Sequence, residues 1–494
     1  MPIEKYVAII GGGIGGLSAA FFLQNRLSAG GQYIYKCAVF EKSKRFGGNA
    51  DTAYLGEERY QKPFADLGVN DFNLNTYRIM VEVLKQLEVE GFKVDYGKLL
   101  PTTNFSTSRQ AKPPHFSYTD YEMKHPTDFP HKKYLQDVHD GWKHFEERAY
   151  KVMHDPTYRN MSVGEFLREP GFNDNFRDLN ILPRINGMYF MDDGLPQDMP
   201  ILGVMSYYHL QEGVGDKTAP DPDRQYFKKG ASDWINQLVG ALKKRGVKMY
   251  LDDAPTVIPR SPTELHVLSR HSSRLSWDYV ISAVYADQVP NVIVAGLPPM
   301  MPTLLAQFRY FTSISIVHEY EDAMPPEQEQ WRTYNILIHQ EQARMLRPYT
   351  IAYVCKMHQG EDKAEPPFVS LSPSVPIPDG DILEMIDMDT GEMVKAVAYL
   401  RHNLVSVDTL AAQRMMDAFQ GHNNIYFTGG WTKGAGLHEE TLSTSLDIAN
   451  RIRGYFVIGQ SHSYSDMDPE YTPKYIRDSF VKGPVEVLSD GFWD

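Results

Sequence analysis

Residues 6–41 read YVAIIGGGIGGLSAAFFLQNRLSAGGQYIYKCAVFE, and the rest of the chain is organised around them. An apolar run at residues 7–10 predicts a short buried strand. Gly11, Gly13 and Gly16 follow at the G-x-G-x-x-G spacing, an apolar helical segment occupies residues 17–23, and a second apolar strand at 37–40 ends on Glu41. Strand, tight turn, helix, strand and closing acid make the layout of a dinucleotide-binding βαβ unit. Gly11 permits the turn, Gly13 lets backbone approach a pyrophosphate, and Gly16 lets the helix lie close on the strand. The helix N-terminus offers free N–H groups and the positive end of its dipole to phosphates. Glu41 is placed to accept hydrogen bonds from a ribose diol. Glycine-rich turns are common, so the flanking strands and the acid give this one its meaning.

Composition narrows the field. The chain has 494 residues, enough for two or three domains' worth of core. Hydrophobic residues at 42% and charged residues at 23% describe a folded chain rather than a disordered one. A net charge of −13 argues against a nucleic-acid surface. The two cysteines, Cys37 and Cys355, make neither a disulfide framework nor a cysteine metal site, and Cys37 reads as a buried structural thiol. The first strand starts about five residues in, leaving no room for a cleavable signal peptide. No apolar run approaches the ~18 residues of a membrane span, so a cytoplasmic protein is expected. The 30 tyrosines and 21 methionines suit a large apolar cavity or interface, and a large core equally.

Beyond Glu41, Arg45, Gly47 and Gly48 form a second glycine turn, and FADLGVNDFNLNTY predicts a short strand, a turn and a helix from about Asn75. Residues 100–160 carry loop signals such as KPPH and HPTDFPH, with one helical piece around 134–152. Ser162 and Glu165 predict a capping box. The aromatic stretch 180–215 reads either as the wall of a substrate cavity, with a helix near 201–210, or as ordinary core. An amphipathic helix at 231–245, a strand at 247–251, a hairpin through 257–258 and 264–268, and a buried strand at 278–283 follow. Residues 290–404 alternate strands and helices. Residues 424–452 give strand, glycine turn and helix again. The predicted fold is α/β: a discontinuous Rossmann-like cofactor domain at 1–75, 225–290 and 405–453, a mixed α+β substrate domain at 76–224 and 291–404, and a tail at 454–494.

Four blocks together carry a resemblance: VAIIGGGIGGLSAA with Glu41, the R-x-G-G of Arg45–Gly48, DYVISAVYADQV, and IYFTGGWTKGAGLHEETLSTSL. The set resembles the FAD-dependent amine oxidase superfamily, whose fold joins a Rossmann-like FAD domain to a mixed substrate domain. It is most similar to a branch of predicted NAD/FAD-binding oxidoreductases whose genes often lie beside lipid-modifying methyltransferases, through GVNDFNLNTY, WRTYN, FVSLSP and GLHEE. The resemblance covers most of residues 5–453. It implies non-covalent FAD. Gly11, Gly13 and Gly16 would hold the pyrophosphate and Glu41 the adenosine ribose, with Ile14, Gly15 and Lys42 also among the cofactor-binding residues. Arg45, Gly47, Gly48 and Asn49 would support the pyrophosphate and flavin side, with Gly68, Val69 and Asn70 beside the isoalloxazine. Val257 would contact the adenine through its backbone, and Gly429, Gly430 and Trp431 would meet the ribityl chain. The helix carrying His438, Glu440 and Thr441 would point its N-terminus at the flavin's pyrimidine end.

Three departures from the family pattern matter. Gly430 stands where an acid is common, and Asn49 where Lys or Arg is common. Residues 311–320 lack the lysine that amine-oxidising members often hold near N5. FAD binding survives these departures and amine oxidation is weakened. WTKGAGLHEE contains no cysteine for a covalent flavin. His438, Tyr334 and His318 are the candidate catalytic side chains. His438 reads as a base, as a holder of charge near the ring, or as a shaper of its turn. Tyr207, Tyr208 and His209 form a helical cluster, more wall than catalyst. No G-x-S-x-G elbow, H-E-x-x-H or Walker loop is present. Three functions fit: an FAD-dependent oxidase or dehydrogenase taking hydride from a small organic substrate, a flavin-dependent desaturase or double-bond isomerase of a lipid-like substrate, and a non-catalytic nucleotide-binding protein. The sequence sets no oligomeric state.

Overall fold

The computed structural model describes residues 1–56, 64–109, 111, 114–189, 196–212, 214, 222–339, 349–373, 375–388 and 390–454. All of the expected tail after residue 454, and residues 190–195, 213 and 215 of the aromatic stretch, lie outside the described residues.

Strand Ile3–Ile10 is the centre of a five-stranded, all-parallel sheet. Its neighbours are Tyr33–Phe40 and Tyr279–Ser282, and the outer strands are Lys248–Tyr250 and Ile425–Phe427. Val7, Ala8, Ile9 and Ile10 are consecutive and all buried, because both faces of a parallel sheet are covered. Helices Ile14–Leu23, Ala231–Lys244 and His438–Arg453 cover one face. The strands come from three stretches far apart in sequence, all ending at the same edge, where open α/β sheets place ligands. A three-stranded meander, Thr256–Ser261, Glu264–Leu268 and Ser276–Trp277, packs on the other face.

A second sheet has seven strands, in the order Val397–Leu404, Arg309–His318, Phe368–Leu371, Tyr349–Val354, Tyr334–Ile338, Thr103–Thr107 and Ser117–Thr119. Only the pairing of Tyr334–Ile338 with Thr103–Thr107 is parallel. Helices Tyr134–His154, Leu182–Tyr189 and Ile201–Glu212 make an aromatic core beside it, where Tyr208 meets Trp142 edge-on at 5.4 Å. Residues 100–160, expected mostly as loop, contain the buried strand Thr103–Thr107. Its Thr, Asn, Ser and Thr give no apolar signal, yet Asn104 Nδ2 donates to Ser117 Oγ at 3.1 Å and to Tyr118 O at 3.2 Å. Likewise 290–404, expected to alternate strands and helices, is mainly antiparallel sheet with short helices between.

Local signals hold where a side chain enforces them. Ser162 Oγ accepts from Glu165 N at 3.2 Å while Glu165 Oε2 accepts from Ser162 N at 2.8 Å, the reciprocal capping box. Cys37 and Cys355 are buried and free. Among the described residues no helix is long and apolar enough to cross a membrane.

Candidate functional site

A cavity of about 970 Å³ runs from the first glycine turn into the space between the two large sheets. That is the upper end of the ~300–1,000 Å³ range of small-molecule sites. Gly11, Gly13, Ile14 and Gly15 form one end of its wall. Gly11 adopts φ +114°, and a Cβ there would lie 2.6 Å from Ala283 O. Gly16 faces away from the cavity: a Cβ on it would lie 1.9 Å from Gly11 O, so its work is to let helix and turn touch. At Gly13 a Cβ would meet nothing within 4 Å. Gly13 is also the N-cap of helix Ile14–Leu23, and no side chain caps that helix. Its first-turn N–H groups therefore need another partner. The last helix buttresses the turn, Ser445 Oγ donating to Gly15 O at 2.8 Å.

Glu41 lines the cavity beside Lys42 and binds the turn from the second strand. Its Oε2 accepts from Gly12 N at 2.6 Å and its Oε1 from Ser43 N at 2.8 Å. The second glycine turn is fastened to the first, Gly47 N donating to Gly12 O at 2.9 Å. Arg45 does not line the cavity. It braces this turn from outside, Nη2 donating to Gly48 O at 2.9 Å and pairing with Asp51 at 2.8 Å. Gly47, Gly48, Asn49, Gly68, Val69 and Asn70 continue the wall. Gly68 presses so closely on this turn that a Cβ would lie 2.1 Å from Asn49 O. Gly429, Gly430, Trp431, His438 and Thr441 line the wall from the late segment, with Trp431 fixed by Nε1 donating to Val284 O at 2.8 Å.

His438 opens helix His438–Arg453. Burial pushes its pKa down to about 4, so the ring is a neutral imidazole near pH 7. Its Nδ1 has no hydrogen-bond partner among the described residues. The next two residues turn inward. Glu440 caps its own helix, accepting from Gly436 N at 2.8 Å and Leu437 N at 2.9 Å, and does not line the cavity. Glu439 caps a different helix, Arg78–Val89, accepting from Ile79 N at 2.8 Å and Met80 N at 3.0 Å. Burial pushes both carboxyls up to about 7.

Beyond the glycine cradle the cavity opens into an aromatic chamber with Tyr189, Tyr207, Tyr334 and Tyr353 in its wall. Tyr334 OH donates to Asp71 Oδ2 at 2.5 Å, and Arg224 Nη1 reaches the same carboxylate at 3.2 Å. Burial works against the Arg224 charge, but Asp71, Tyr207 and Tyr334 outweigh it and hold its pKa above the ordinary value. Tyr208 and His209 belong to the core: His209 Nδ1 donates to Val214 O at 2.9 Å.

Besides Gly16, Arg45 and Glu440, two further expected residues, His318 and Val257, stand off the cavity. His318 is fully buried away from the cavity, with Nε2 donating to Ser370 Oγ at 2.8 Å and Nδ1 accepting from Tyr320 N at 3.1 Å. Burial pushes its pKa down to about 3, and it braces the strand pair Arg309–His318 and Phe368–Leu371. Val257 also lies off the cavity. Its side chain is in the core, its carbonyl accepts from Val294 N, and Asp253 and Ala254 line the wall in its place. Conversely, Asp71, Arg224, Tyr285, Arg401 and His402 line the site without having been singled out.

A family model described as an NAD(P)-binding Rossmann-like domain matches residues 9–87. No curated protein matches the chain. Solved structures match along almost its whole length. Putrescine oxidase, solved with putrescine bound, is 12% identical with a TM-score of 0.58, covering 92% of this chain and 99% of that one. The CLA-producing fatty acid isomerase from P. acnes is 14% identical with a TM-score of 0.59, covering 90% and 98%. An oxidoreductase from Methanosarcina mazei is 12% identical with a TM-score of 0.55, covering 90% and 99%. The fold is therefore the one these proteins share: a Rossmann-like domain joined to a mixed sheet-and-helix domain.

Proposed function

We propose that the chain is an FAD-dependent oxidoreductase that takes hydride from a small organic substrate in the aromatic chamber. One observation carries the reading. The two glycine turns, fastened by Gly47 N to Gly12 O, and the uncapped helix at Gly13 wall a single cavity that continues into a chamber of tyrosines. The cradle fits a dinucleotide: Gly13 leaves open space, and Glu41 keeps acceptor capacity beyond its two backbone donors. Helix Ile14–Leu23 would hold the pyrophosphate, Glu41 the ribose, and Asn49, Gly68, Val69, Asn70, Gly429, Gly430, Trp431 and Thr441 the flavin half. Bound FAD supplies a hydride acceptor. In this reading segments 1–75, 225–290 and 405–453 hold the cofactor and segments 76–224 and 291–404 shape the substrate space.

The chain's own groups then orient and exclude water. His438, neutral and with Nδ1 unpartnered among the described residues, would offer a hydrogen-bond acceptor at the cofactor end, while its burial opposes protonation of the ring. Tyr334, tied to Asp71, holds the chamber wall. A second reading, double-bond isomerisation of a lipid-like substrate, is favoured by the aromatic walls of the chamber and by the likeness in fold to a fatty acid isomerase.

Anaerobic mixing of the purified protein with candidate donors tests the first reading. Bleaching of a yellow chromophore, with peroxide formed on readmitting air, supports an oxidase. Product without bleaching moves the reading to isomerase. A colourless protein that FAD cannot reconstitute refutes both.

A further inference from the structure

Three hydrogen-bonding side chains, Arg224, Tyr207 and Gln211, stand in the wall of the aromatic chamber, and one of their donors, Gln211 Nε2, has no acceptor among the described residues. Strand Arg224–Phe227 pairs antiparallel with Asp71–Asn73, so that Asn73 stands opposite Arg224. Arg224 spends Nη1 on the two oxygens of Asp71, at 3.3 and 3.2 Å. Among the described residues its Nη2 reaches only Tyr207 OH, at a long 3.5 Å. Gln211 lies one turn beyond Tyr207 on helix Ile201–Glu212, on the same face. Asn73 touches it too, donating from Nδ2 to Gln211 O at 3.3 Å. Gln211 is 4% exposed, yet its Nε2 has no partner among the described residues. Arg224, Tyr207 and Gln211 all line the cavity.

Buried donors demand an acceptor, and the charges nearby decide which kind. Asp71 already balances Arg224, and Glu212 is near enough to act on the same guanidinium. A further carboxylate would add negative charge beside two existing ones. An ammonium offers no acceptor and leaves Gln211 Nε2 unsatisfied. A neutral carbonyl oxygen has two lone pairs and adds no charge. We propose that the chamber recognises an uncharged carbonyl oxygen of its substrate, as in a ketone, ester or amide, through Arg224, Gln211 and Tyr207. This rests on the chamber being the substrate site, and it adds the class of substrate.

Three probes of one shape test it: cyclohexanone, cyclohexanecarboxylate and cyclohexylamine, titrated calorimetrically into the purified protein with its cofactor. Cyclohexanone should bind about tenfold or more tightly than either charged probe. Gln211→Leu should weaken cyclohexanone about threefold to tenfold, the loss of one neutral hydrogen bond, and leave the charged probes unchanged. Tyr207→Phe serves as a second variant should Gln211→Leu fail to fold, with the same selective loss expected. Tightest binding of the carboxylate or the amine overturns the proposal, as does a folded Gln211→Leu or Tyr207→Phe that binds cyclohexanone as the parent does. Colour separates the two readings: a colourless protein that still prefers cyclohexanone sinks the flavoenzyme and keeps the carbonyl site, and a yellow one without the preference does the reverse.

Discussion

Gly13→Ala and Gly16→Ala should fail in opposite ways, although both lie in one glycine motif. At Gly13 the backbone is extended, φ −74°, and a Cβ meets no atom within 4 Å. Folding then loses only part of the N-cap preference for glycine over alanine, about 0.5–1 kcal/mol. The methyl group instead enters the cradle. If a pyrophosphate lies there, overpacking it costs about 1–3 kcal/mol, which converts to about 5- to 140-fold in affinity. At Gly16 the Cβ would lie 1.9 Å from Gly11 O, a backbone atom that cannot swing aside. That variant should lose about 1–3 kcal/mol or more of stability whether or not cofactor is present. Thermal melts of the cofactor-stripped proteins and fluorescence titration with FAD separate the two effects. A Gly13→Ala protein that binds FAD as tightly as the parent would refute the assignment of this turn to the pyrophosphate.

Other consequences are open to measurement. Tyr334→Phe removes a hydrogen bond to the half-buried Asp71 carboxylate, so denaturant unfolding should report a loss of about 1.5–3 kcal/mol; an unchanged midpoint would refute this bond's contribution. Glu439 has a native pKa of about 7 against 4.5 unfolded, so its contribution is fully present below about pH 4.5 and lost as pH rises through 7. Glu439→Gln should therefore flatten the stability profile over that window relative to the parent, and parallel profiles would count against the shift. Burial pushes both the Cys37 and Cys355 thiols up, so a thiol reagent should label two groups only after denaturation, and rapid labelling of the native protein would contradict their placement.

The sequence disclosed what glycine enforces. Gly11, Gly13, Gly16, Gly47, Gly48 and Gly429 mark sites where backbone must turn or approach closely, and such positions admit few alternatives. Helices with amphipathic faces or capping boxes, such as Ala231–Lys244 and Val163–Phe166, were legible for the same local reason. The chamber was not. Asp71 and Arg224 meet across 153 residues only because two short strands pair, and neither strand has a strong apolar pattern. Glu439 caps a helix 360 residues earlier in the chain, a partnership that no spacing rule anticipates. His318 drew attention as a histidine in the substrate segment, but its ring serves a strand pair. Val257 shows that a backbone contact is hard to place to the residue: the turn into the meander puts Ala254, three positions earlier, at the wall.

Cofactor identity tests the central claim most directly. The purified protein should carry a yellow chromophore that denaturation releases into solution, chromatographing as FAD at one molecule per chain, with Glu41→Ala losing it on dilution. A protein that binds no FAD even after reconstitution, or that retains full FAD under dilution with Glu41→Ala, would contradict the account.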